Sequence, residues 1–61
     1  MNQYKFTIGD TIVKAKCFDG EMRENGKVVN RRFTSTDTEP AYLVAFNGEL
    51  HHVDQSNIKE Q

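Results

Sequence analysis

Apolar and polar residues alternate in short runs along this chain, and no segment of helix length carries an amphipathic stripe. The clearest run is Ala41–Phe46, followed by Asn47-Gly48 and then Glu49–Val53. Asn-Gly between apolar runs is a strong hairpin signal, because both turn residues must adopt positive φ. Tyr42, Val44 and Phe46 fall on one face of the first arm, Leu43 and Ala45 on the other, as a strand's two-residue period requires. Pro40 opens that arm, where a missing N–H is tolerated.

The same reading covers the rest of the chain. Residues 1–5 are polar and predicted to be loosely held. Phe6 and Ile8 alternate, Gly9-Asp10 makes a tight bend, and a β-branched strand begins at Ile12. Val13 and Ala15 are expected inside, with Lys14 and Lys16 outside. Residues 17–26 carry two turn signals, Asp19-Gly20 and Asn25-Gly26, and are read as an irregular excursion. Lys27–Thr34 is the second strand, and a polar loop leads from there to Pro40. Asp54–Asn57 is read as a turn of 3-10 type, since Asp and Ser bond the local backbone. Ile58-Lys59 then closes the sheet. The prediction is one all-β domain over residues 6–60, with five short strands.

Composition narrows what such a domain can do. A chain of 61 residues buries only roughly 60% of its unfolded surface, so a deep ligand pocket would compete with the core for apolar side chains. That argues against an enzyme with an enclosed active site. The formal net charge of −1 lacks the basic excess usual in nucleic-acid modules. Cys17 is the single cysteine, which excludes an intrachain disulfide and a cysteine-based zinc site and suits a reducing compartment. No basic start followed by an apolar stretch marks a leader, and no apolar run approaches the ~20 residues of a membrane helix. A soluble cytoplasmic protein is expected.

Several of these positions carry a resemblance. Ile8-Gly9-Asp10-x-Ile12, Gly26-Lys27-Val28-Val29, Tyr42-x-Val44-x-Phe46-Asn47-Gly48 and Val53-x-x-x-x-Ile58 together resemble the SH3-like small barrel, in its Tudor/KOW-like branch. The resemblance spans about residues 6–60 and implies a fold more than an activity, since this superfold hosts many functions. Tudor-type readers hold a methylated side chain in an aromatic cage; Phe18, Phe33 and Tyr42 are the rings here, and core or rim packing accounts for them as well. KOW-type modules bind RNA, and Gly9-Asp10 followed by Gly26-Lys27-Val28 is similar to their glycine spacing. The type II dihydrofolate reductase, another small barrel, carries Val-Gln-Ile-Tyr in its fourth strand. The matching Leu50-His51-His52-Val53 lacks the glutamine and the tyrosine, so that activity is rejected.

Other candidate chemistry reads as bland. His51 and His52 are strand neighbours that point to opposite faces, and His52 with Asp54 supplies two ligands where zinc sites need three or four. No metal or other cofactor is predicted. Cys17 beside Phe18 reads as a small packing residue, because no local motif pairs it with a histidine. Glu21, Glu24, Asp37 and Glu39 lie in polar loops and read as a solvated rim. The predicted function is a non-enzymatic binding module with a protein partner, contacted through a rim of Phe18, Met22, Arg23, Phe33, Tyr42 and Asn57. Such a barrel looks like a phage, plasmid or bacterial accessory protein. One alternative is a nucleic-acid module using Lys14, Lys27, Arg31 and Arg32. Another is a homo-oligomer, weakly associated against a monomer, with a ligand site at its interface and pairing through exposed edges at 27–34 or the C-terminus.

Overall fold

Four antiparallel strands carry the regular structure: β1 (Thr11–Cys17), β2 (Met22–Arg32), β3 (Ala41–Phe46) and β4 (Glu49–Lys59). Each pairs with the next in chain order and β1 also pairs with β4, which closes the sheet into a barrel. The computed structural model describes residues 4–35 and 37–59. Residues 1–3 of the expected loose N-terminus, and residue 60 at the expected domain end, lie outside the described residues.

The all-β class holds, but the strand count is four rather than five, and no 3-10 turn is present among the described residues. The reason lies at the barrel corner. Asp54 still faces Ala41, and the Gln55 N–H donates to the Pro40 carbonyl at 3.0 Å, so the β3–β4 ladder runs past Val53. Ser56 gives its N–H and hydroxyl to the Glu39 carboxylate (2.6 and 2.9 Å), so its donors are satisfied without local turn closure. The chain then rejoins β1, with Ile58 facing Ala15 and Lys59 facing Lys14. Cys17 faces Val53, so the stretch between bows outward as an irregularity in one continuous strand.

Strand β2 also begins earlier than expected. Only Asp19-Gly20 acts as a turn: Cys17 N–H donates to Glu21 O and Gly20 N–H to Cys17 O, both at 2.9 Å, around a three-residue loop with Gly20 at φ 90°. Met22, Arg23 and Glu24 pair with Lys16, Ala15 and Lys14. Asn25 sits mid-strand at φ 61°. The β1–β2 register stays unbroken there, so the ribbon twists rather than slips. Burial along β1 changes phase opposite Asn25, which corrects one expectation: Val13 is exposed, while Ile12 and Ala15 are both buried. The edges expected to be open are paired within the barrel, Lys27–Arg32 with β3 and Ile58–Lys59 with β1.

Ile12, Ala15, Val28, Tyr42, Val44 and Val53 fill the barrel, with Phe6, Cys17 and Phe46 at its margins. The segment before β1 plugs one end. Phe6 meets Tyr42 edge-on at 5.5 Å, and the Tyr42 hydroxyl accepts the N–H groups of Lys5 (3.1 Å) and Phe6 (3.2 Å) while donating to Gln55 Oε1. Tyr4 adds a second edge contact to Tyr42 at 6.0 Å, and Arg31 lies over the Tyr4 ring at 4.8 Å.

Candidate functional site: a groove between the first turn and the bend of β4

The β1–β2 turn folds back on β4, and the Phe18 N–H donates to the His52 carbonyl at 2.9 Å. Opposite stands the outward bow of β4. Between them runs an open groove of about 470 Å³ lined by Lys16, Cys17, Phe18, Gly20, Asp54 and Asn57. Phe18 is 51% exposed, yet its ring is held: His52 lies 5.7 Å away ring to ring, and the Arg32 guanidinium stands 5.7 Å from its centroid.

Arg32 is itself fixed. It donates from Nε and Nη2 to both oxygens of Asp37 at 3.1 Å, and Nη1 lies 3.5 Å from His52 Nδ1. Asp37 also accepts the N–H and hydroxyl of Thr34 at 2.9 and 3.1 Å. The Thr34 backbone N–H, then Arg32, hold the Asp37 carboxyl below the ordinary aspartate range. Asp54 is the reverse case. Partial burial pushes it up, the nearby carboxylates of Glu39 and Asp37 push the same way, and the Arg32 charge pulls against them. Among the described residues no donor reaches the Asp54 carboxylate.

The residues predicted to form a contact rim are dispersed. Phe18 and Asn57 meet in the groove. Met22 is exposed directly across from Lys16, at the groove's border. Arg23 is engaged at the turn, where it grips both Asp19 oxygens at 3.0 Å. That grip, with the Glu21 N–H, brings the Asp19 carboxyl down to about 2; Asp19, then Cys17, raise Arg23. Phe33 is exposed just beyond β2. Tyr42 is fully buried, a correction to its place in the rim: its ring supports the plugged end and offers no surface to a partner.

The four basic residues of the nucleic-acid alternative are spread over separate surroundings. Lys14 stands between Glu24 and Lys59, Lys27 between Thr11 and Ala45, Arg31 over Tyr4, and Arg32 on Asp37. His51 lies against Phe46 and 3.3 Å from Glu49, on the face opposite His52. Cys17 is a buried thiol, and no three His, Cys, Asp or Glu side chains among the described residues converge as a metal site.

Sequence reasoning missed Lys16 and Asp54 as groove residues. Their juxtaposition follows from the Cys17–Val53 pairing, a long-range contact with no local signal. No family model, no curated protein and no solved structure matches this chain. The closed all-β barrel is consistent with an SH3-like small barrel. No described helix is long and apolar enough to cross a membrane.

Proposed function

We propose that this chain is a non-enzymatic binding module, an SH3-like barrel of the Tudor/KOW-like branch, that docks another protein in the groove between Phe18 and Asn57. One observation carries this reading: a half-exposed aromatic ring is held at the lip of an open groove by its own chain's Arg32 and His52. A ring ordered before contact gives a partner large apolar area at small entropic cost. The test is affinity capture from an extract of the native host with wild type, Phe18→Ala and Asn57→Ala, each checked for an unchanged melt. The partner seen with wild type should be lost with Phe18→Ala and reduced with Asn57→Ala. Undiminished capture by folded Phe18→Ala overturns the reading.

Nucleic-acid binding stands as a second reading on a different observation. Lys14 faces Lys59 directly across β1–β4, with Glu24 on its other side, and exposed Lys16 follows two residues on. Like charges opposed in a ladder repel, and a phosphate backbone would relieve them. A low-salt titration with generic RNA and DNA should then give affinity that falls steeply with salt; no shift removes this reading.

A further inference from the structure

Strand β3 is apolar on both faces, which is unusual for a sheet with one wet side. Its inward residues Tyr42, Val44 and Phe46 are buried in the core. The ladders assign the outward ones to three rows across the barrel: Arg32–Ala41–Asp54, Asn30–Leu43–His52 and Lys27–Ala45–Leu50. Ala41 is fully buried, Leu43 and Ala45 are half-buried, and Leu50 is 57% exposed, so the open apolar surface lies in the Leu43 and Ala45 rows. A register shift between Val28 and Asn30 adds exposed Val29 beside the Leu43 row. Phe18 joins the same surface through His52 and Arg32.

The charges at the ends of this strip define what fits. At the Lys27 end the surface presents a cation. At the other end Arg32 is already neutralised by Asp37, and Asp54 lacks a donor among the described residues. Glu39 and Asp37 add negative charge near Asp54, and Arg32 opposes them. Three carboxylates, Asp37, Glu39 and Asp54, stand there against the one guanidinium of Arg32, so the end is negative on balance and an acidic segment would be repelled. The strip is three strands wide and about three rows long, so its flat footprint is on the order of 200 Å² at ordinary strand spacing. A stable dimer needs roughly 800 Å² from each partner, which argues for a short segment rather than a second copy.

We infer that the outward face of β2–β3–β4 extends the recognition groove and takes an extended partner segment whose alternate apolar side chains cover Leu43, Ala45 and Leu50 and whose cationic end residue pairs with Asp54. This rests on the binding-module reading above.

The test uses the whole chain, labelled with ¹⁵N, and two capped peptides of alternating leucine and threonine, one ending in arginine and the other in glutamate. The arginine peptide should shift the amides of Leu43, Leu50, His52 and Asp54. It should bind about threefold to fivefold more tightly than the glutamate peptide, the size of one partly exposed ion pair. Leu50→Glu should abolish binding with the melt unchanged, and Asp54→Asn should erase the difference between peptides. Equal affinity for both peptides, or shifts confined to Phe18 and Asn57, overturns this inference and leaves the groove reading standing. Face shifts together with undiminished host capture by Phe18→Ala would remove the groove instead. A dimer seen in sedimentation and lost in Leu50→Glu would assign the face to a second copy and overturn the partner proposed here.

Discussion

Asn47-Gly48 and Asn25-Gly26 are the same dipeptide in two different surroundings. At the β3–β4 turn both residues take positive φ, 52° and 82°, and a Cβ added to Gly48 would meet nothing within 4 Å. That is the two-residue turn whose twist suits a hairpin. In β2 only Asn25 takes positive φ, and Gly26 is buried between Ile12 of β1 and Phe46 of β3. A Cβ on Gly26 would stand 2.5 Å from Phe46 Cε1 and 2.6 Å from Val44 Cγ1. One glycine is there for its dihedral, the other for the space it leaves. The difference teaches that a turn signal becomes a turn only where the dipeptide itself has no strand on each side to pair with: Gly26 lies between Ile12 and Phe46, while Asn47 and Gly48 join no ladder.

The largest expected effect comes from the wall that Gly26 lies against. Val44→Asp places an unpaired charge in the filled barrel, at a cost of several kcal/mol, while a domain of this size rarely holds more than ~3–5. The variant should show no cooperative thermal transition; a normal melt would mean that Val44 does not face inward. Gly26→Ala forces Phe46 or β2 itself to move, and should cost about 1–3 kcal/mol by urea denaturation. Gly48→Ala has room but holds a Cβ at positive φ, so about 1 kcal/mol is expected. Should Gly48→Ala prove the more damaging of the two, the roles assigned to the two glycines would be reversed. The smallest effect is expected from Asn25→Gly, a few tenths of a kcal/mol at most, because relief of the positive φ is offset by greater unfolded-state freedom. A loss above 1 kcal/mol there would show that the Asn25 side chain does more than tolerate its backbone.

Much of β3 and β4 was legible because its determinants are local. Alternation in Ala41–Phe46 sorted inward from outward residues, and the turn chemistry of Asn47-Gly48 set the hairpin. The exposure of Phe18 and Asn57 was legible because turns and bends leave side chains in solvent, but the groove they line was not. Alternation also put Tyr42 on the inward face, against its place in the rim; what it could not show is that Lys5, Phe6 and Gln55, distant in sequence, hold its hydroxyl. Val13 was misplaced because the burial of β1 shifts phase between Ile12 and Ala15, which two-residue alternation does not foresee. The outward apolar row was half visible: Leu43 and Ala45 follow from alternation, but Leu50 joins them only through the ladder.

By itself the sequence determined the all-β class, the tight hairpin and the inward face of β3, since dihedral preference and two-residue periodicity act within a few residues. Only the tertiary structure decided that β4 bends without breaking, that β2 continues through Asn25-Gly26, and that Lys16, Phe18, Asp54 and Asn57 share one groove. Those outcomes depend on which strand edge meets which, and the energy of that meeting is stored in contacts between residues far apart along the chain.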